Sequence, residues 1–196
     1  VAELVLASGS ARRHELLSRL GVAFTVRVPD IDETPRPREA ATTYVERLAR
    51  AKAVAARRHP DEVVLAADTT VDVDGTILGK PIDEKAARIM LTGLSGQTHA
   101  VHTGVALAVV GEVMSQVITT EVTFRVLAPE EIEAYVRSGE PLDKAGGYGI
   151  QGQAGLFVSS VAGSVSNVVG LPLAQTAALL SRAGFEPIEW GPPRPS

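Results

Sequence analysis

Residues 4–20 constrain the fold of this chain more than any other stretch. Leu4-Val5-Leu6-Ala7 is a short apolar run with the character of a buried strand, and Ser8-Gly9-Ser10 breaks it. Ala11–Leu20 then has helical spacing, with Leu16, Leu17 and Leu20 on one side. A strand that feeds a helix through a small-residue loop aims backbone N–H groups and the positive end of the helix at one point. Ser8, Ser10, Arg12 and Arg13 belong to that point. Guanidinium pairs bidentately with phosphate, so a polyphosphate suits the two arginines best. The loop is not a Walker A loop, because no Gly-Lys-Ser/Thr follows it. Without an anion, the same stretch is a strand–turn–helix with Ser10 as N-cap and two solvated arginines.

A net charge of −4 argues against general attraction to nucleic acid or to an anionic membrane, so a phosphate site must be a local positive cluster. The absence of cysteine excludes disulfides, thiolate chemistry and Cys-ligated metal. No apolar run approaches ~18 residues and no charged-then-apolar leader opens the chain, so a soluble, cytoplasmic protein is expected. At 196 residues, one large domain over residues 1–190 is expected. Residues 191–196, rich in proline, read as a disordered tail.

Ala23–Val28 alternates as a second strand. The stretch 29–37 holds three prolines and three acids, a loop that is simply solvated unless one of its carboxylates reaches a metal held near the phosphate loop. Thr42–Arg58 reads as a helix with Tyr44, Leu48, Ala51 and Ala55 inward and Lys52 beside that face. Such a lysine either snorkels to solvent or points into a cleft. Val63–Ala67 is the most apolar strand and runs into Asp68-Thr69-Thr70. A carboxylate at the end of a buried strand is costly unless paired or metal-bound, and α/β sheets place catalytic groups there. Val71–Leu78 reads as a hairpin with an Asp-Gly turn that delivers Lys80 between Gly79 and Pro81. Asp83 caps the helix that follows, to about Leu94.

Thr98–Val110 and Val113–Val126 are two long strands joined at Gly111-Glu112, and Pro129 opens another helix. Residues 139–152 contain five glycines, which permit close backbone approach to a ligand. Within that stretch Tyr148 offers a stacking face and Gln151 a bidentate amide. A last strand (Leu156–Val161), a Gly163-Ser164 turn and a helix from Leu173 to Arg182 complete the expected order. Carboxylates without cysteine, and four scattered histidines, favour a hard ion such as Mg²⁺ or Mn²⁺. Cations, a metal and a base together are the equipment of phosphoryl or nucleotidyl chemistry.

Seven motifs in order carry a resemblance: residues 6–13 (LASGSARR), 67–69 (ADT), 79–81 (GKP), 94–99 (LSGQTH), 139–146 (GEPLDKAG), 148–152 (YGIQG) and 169–172 (VGLP). Together they closely resemble the Maf family of nucleoside triphosphate pyrophosphatases, from about Leu4 to Leu180. The resemblance implies an α/β fold: a two-lobed mixed sheet with flanking helices and a nucleotide cleft between the lobes, similar to inosine triphosphate pyrophosphatases. It also implies a nucleoside triphosphate substrate, a divalent metal and a homodimer. Carried over, the catalytic proton acceptor falls on Asp68. Phosphate and metal positions fall on Ser8, Arg13, Glu33, Lys52 and Lys80, with Glu33 and Asp68 as the metal pair. Specificity positions fall on Arg12, Thr69 and Gln151. Thr69 after the aspartate, with Gln151, looks like the dTTP/UTP-type subfamily; its sister subfamily, which prefers 7-methyl-GTP, has glutamine after the aspartate. Ala11 stands where the family has proline, a change of little expected consequence at a helix start. A nucleotide-binding regulator of cell division without catalysis is the alternative, one that has no need of Asp68 and both lysines together.

Overall fold

The computed structural model describes residues 2–187. The tail expected at 191–196 lies outside them. Among the described residues seven strands form one mixed sheet: β1 (Glu3–Leu6), β2 (Thr25–Val26), β3 (Glu62–Val73), β4 (Thr76–Leu78), β5 (Thr98–Val109), β6 (Glu112–Phe124) and β7 (Val158–Ala162). Their order is β2-β1-β3-β5-β6-β7, with β4 paired to β3. β1 pairs in parallel with β2 and β3, and the remaining ladders are antiparallel. The helices are α1 (Ala11–Ser18), α2 (Ala41–Ala56), α3 (Glu84–Leu94), α4 (Pro129–Arg137), α5 (Val165–Val169) and α6 (Leu173–Arg182). No helix among the described residues is long and apolar enough to cross a membrane.

β3 organises the molecule, and it departs from the expected strand. It does not end before Asp68 but runs through it. β1 stops pairing at Leu6↔Leu65, whereas β5 continues to pair from Val64↔Ala108 out to Asp72↔Ala100. One ladder therefore carries the strand onward after the other has ended. Asp68 lies just beyond the end of β1, where β3 has an open edge. The strand then turns through Asp74 (φ 49°) and Gly75 (φ 79°), the two positive φ values that a type I′ hairpin requires.

Cores lie on both faces. On one, α2 packs through Ala49, Ala53 and Ala56 onto Val5, Val64, Ala66 and Ala106, small side chains that let helix and sheet approach closely. On the other face two clusters stand apart. Leu4, Leu6, Leu16, Leu17, Leu65, Leu107 and Leu180 fill the half at β1, and Leu91, Leu94, Phe124, Tyr135, Tyr148 and Phe157 fill the other half. Thr69 and Thr103, paired across β3 and β5, fall between these two cores. This is the two-lobed arrangement expected.

Local differences have physical reasons. β2 shortens to Thr25-Val26 because it is an edge strand whose Val26 and Val28 are exposed. The helical run from Ala11 ends at Ser18, and Leu20 is buried from the turn beyond. The buried face of α2 is Val45, Leu48, Ala49, Lys52, Ala53 and Ala56, so Ala55 is exposed and Tyr44 half-buried. β7 starts at Val158, after a 3₁₀ turn over Gln153–Phe157 that leaves Leu156 exposed. α5 is a short helix that follows the Gly163-Ser164 turn, capped by the Ser164 hydroxyl on the Asn167 N–H.

Candidate active site

A cleft of about 970 Å³ opens at the free edge of β3, and all nine expected site residues line it. One wall carries the β1–α1 loop, Glu33, Lys52 of α2 and Asp68-Thr69 of β3. The other carries Gly79-Lys80 and the glycine-rich stretch with Gln151.

Asp68 is buried to 6% exposure, and its Oδ1 accepts from Lys52 Nζ at 2.6 Å. Lys52 is itself buried, reaching this point because it lies on the inner face of α2 rather than beside it. Its ammonium also stands 2.9 Å from Glu33 Oε1, on a side chain 55% exposed. The Tyr44 hydroxyl donates to the Glu33 carbonyl at 3.0 Å and ties the acidic loop to α2. Burial pushes the Asp68 carboxyl above its ordinary range, while the Lys52 and Arg13 charges hold it back.

Arg13 is fixed by three acceptors: its Nε donates to Gly170 O at 2.8 Å, Nη1 to Ser8 Oγ at 3.3 Å and Nη2 to Thr69 Oγ1 at 3.0 Å. Burial draws its guanidinium below the ordinary arginine range, with Asp68 opposing. Ser10 caps α1 through the Arg13 N–H, as expected, and Ser8 Oγ accepts from the Ser10 N–H at 3.2 Å. Arg12 does not point at the same place. It crosses the cleft to pair with Asp143 Oδ2 at 3.2 Å and so bridges the two lobes. Lys80 is exposed, held in position by its backbone neighbour, since the Gly146 N–H donates to Gly79 O at 3.0 Å. Gln151 is exposed on the same wall.

Tyr148 corrects an expectation. Its ring is 6% exposed and packs edge-on against His99 and Phe124, with its hydroxyl 2.8 Å from His99 Nε2. An aromatic in a glycine-rich stretch here closes the second core instead of offering a free stacking face. Three residues beyond the expected set matter to the site: Asp143, which receives Arg12, and Thr103 and Asn167, which stand behind Thr69. The signal for Thr103 is a hydroxyl residue in register with Val101, Val105 and Leu107, the core-facing apolar positions of β5.

Asp68 and Glu33 converge on one cation, Lys52, which shows that both carboxylates address the same point in the cleft. Their oxygens are hard donors. Among the described residues no group of three or more His, Cys, Asp or Glu side chains has metal-binding geometry. A divalent ion would therefore have these two carboxylates and complete its shell with water and phosphate oxygens, the usual pattern for Mg²⁺.

Fold and site together define an α/β protein whose two lobes share one mixed sheet around a cationic cleft with a buried carboxylate. The HAM1 protein of Coxiella burnetii shares this fold, with a TM-score of 0.54 at 20% identity, covering 93% of this chain and 100% of that one. The chain belongs to the Maf family, whose model, described as Maf-like protein, matches residues 3–183. It is 59% identical over 188 residues to a dTTP/UTP pyrophosphatase of Myxococcus xanthus (strain DK1622), covering 95% of each chain. It is 56% identical over 194 residues to a dTTP/UTP pyrophosphatase of Anaeromyxobacter dehalogenans (strain 2CP-C), covering 97% of this chain and 98% of that one. The resemblance read from the seven motifs is thereby borne out.

Proposed function

We propose that the protein hydrolyses nucleoside triphosphates, dTTP and UTP foremost, to the monophosphate and pyrophosphate. The observation that carries this reading is the buried Asp68 carboxylate, gripped by Lys52 beside the fixed guanidinium of Arg13. A cation pair and a base of raised proton affinity, at the wall of a cleft of nucleotide size, suit attack of water on a phosphoanhydride. The names of the relatives at 59% and 56% identity support the same reaction.

In this reading Asp68 takes a proton from water as the oxygen–phosphorus bond forms at the α-phosphorus. The bond from the α-phosphorus to the oxygen that bridges it to the β-phosphorus breaks, and pyrophosphate leaves with that oxygen and the bond's electron pair. Arg13, Lys52, Lys80 and Ser8 hold the phosphate oxygens, for which a preset, water-poor arrangement of cations is the main source of rate. Arg12, Thr69 and Gln151 face the nucleoside. Glu33 and Asp68 would hold Mg²⁺ or Mn²⁺, which when bound supplies neutralisation of charge on the phosphate oxygens. The biological purpose would be removal of unwanted nucleotides before polymerases use them.

The test is product analysis with UTP, dTTP, CTP, GTP and 7-methyl-GTP, scoring pyrophosphate against orthophosphate. Pyrophosphate release from UTP and dTTP, lost in Asp68→Asn, is the expected result. Orthophosphate as the first product, or Asp68→Asn at near wild-type kcat, refutes the reading.

A further inference from the structure

Behind Thr69 runs a hydrogen-bond chain whose direction is fixed by chemistry. Thr103 is fully buried, and its Oγ1 lies 3.0 Å from the backbone carbonyl of Asn167. A carbonyl oxygen only accepts, so the single Thr103 hydroxyl proton goes there. Thr103 Oγ1 also lies 2.9 Å from Thr69 Oγ1. With its own proton committed, Thr103 accepts, and Thr69 donates its only proton inward. On its other side Thr69 Oγ1 accepts from Arg13 Nη2 at 3.0 Å. A hydroxyl has one proton and two lone pairs. Thr69, half-buried and lining the cleft, thus has no donor to offer a ligand and one lone pair left.

Taking the cleft as a pyrimidine triphosphate site, we propose that Thr103 is a specificity-positioning residue. By fixing the polarity of Thr69 it makes that hydroxyl an obligate acceptor, and this selects a base that presents a ring N–H. Uracil and thymine carry a proton on N3, whereas cytosine carries a lone pair there. An acceptor facing N3 matches the first two and repels the third. Thr103 touches no substrate; it acts through Thr69. A lone Thr69 hydroxyl, free to rotate, has no such preference, since it donates as readily as it accepts.

The test is the ratio of kcat/KM for UTP to that for CTP. Sites built on hydrogen bonds reject the analogue that leaves a buried group unmatched, so the wild-type ratio should be at least ~10. Thr103→Val keeps shape and strand preference, removes the chain and should cut the ratio by about tenfold, mainly by raising activity on CTP. Thr103→Ser keeps a hydroxyl in place and should retain the wild-type ratio. A Thr103→Val enzyme that loses activity equally on both substrates, or keeps the wild-type ratio, overturns the proposal, because the threonine would then only brace Arg13 or the fold. Should that variant not fold, wild type decides with N3-methyluridine triphosphate, which lacks the N3 proton. A fall to the level of CTP supports the acceptor role, and turnover equal to UTP overturns it. A wild type that turns over no pyrimidine triphosphate is a different failure: it removes the reading of the cleft, and the proposal with it.

Discussion

Removing the Lys52 ammonium isolates the electrostatics of the buried Asp68 carboxylate, the base in the proposed reaction. Burial raises the proton affinity of Asp68, and the first force opposing it is the Lys52 charge, whose Nζ is 2.6 Å from Oδ1. Both groups are nearly excluded from solvent, at 10% and 9% side-chain exposure, so little screening reduces their interaction. Lys52→Met retains length and apolar stem while removing the charge. A hydrogen bond to a charged group is worth about 1.5–3 kcal/mol, and losing this one with its charge leaves burial less opposed, so the Asp68 pKa moves further up. Only the ionised carboxylate accepts a proton from water, so activity falls as pH drops through that pKa. The variant's acid limb must therefore lie at higher pH than that of wild type. The plateau should also drop by an order of magnitude or more through the lost phosphate contact. Pyrophosphate release from UTP between pH 4.5 and 9 measures both. A plateau that falls while the acid limb stays put would refute the coupling of Lys52 to Asp68.

Three further outcomes are expected. Activity should vanish with EDTA and return with Mg²⁺ or Mn²⁺; full turnover in metal-free buffer contradicts a metal role for Glu33 and Asp68. Burial holds His99 neutral, with its pKa lowered to about 4. The unfolded chain takes up this proton below about 6.5, so stability is intact above that pH and declines as pH falls toward 4, by roughly 3 kcal/mol in total. His99→Gln should flatten the dependence of the denaturation midpoint on pH in that window, leaving the share of His102, which burial also lowers; an unchanged slope refutes the assignment. Gly104→Ala should lower the midpoint by an amount matching roughly 1–3 kcal/mol, the usual cost of overpacking. An unchanged midpoint would show that helix and sheet are not in close contact there.

The half of the site built on the β1–α1 loop was legible because its residues lie close together in sequence. Strand, serine-rich loop and helix are local instructions, and Arg13 and Ser8 follow from them. Asp68 was legible as a charge inside apolar neighbours, but its place was misjudged. Where one strand stops is decided by how far its partners run, and the end of β1 and the length of β5 are not written in residues 63–68. Tyr148 was misassigned for a similar reason. Its surroundings, His99 and Phe124, come from β5 and β6, so a glycine-rich context predicted exposure where tertiary packing produced burial. The polarity of Thr69 was beyond reach altogether, since it depends on a carbonyl 98 residues further on.

The burial of Lys52 has its origin in part on β5, the strand beside the one that carries Asp68. In the antiparallel ladder Asp68 is paired directly with Gly104 of β5. A Cβ at Gly104 would overlap the Val45 carbonyl, lying 2.6 Å from Val45 C and 2.8 Å from Glu46 N. The backbone of α2 thus rests on the sheet at the one position where the sheet has no side chain. Val45 and Lys52 are seven residues apart, two turns along the same face of α2. Seating the helix at Val45 therefore carries Lys52 down to the level of Asp68, with Ala49 between them small enough not to lift it. A glycine inside a strand costs stability by itself. Here the missing side chain is the space in which helix and strand come close enough for an ammonium and a carboxylate to meet out of water. The same contact explains why Lys52 does not snorkel: it is buried on the face of α2 that packs on the sheet, and its ammonium meets Asp68 and Glu33 in the cleft they line.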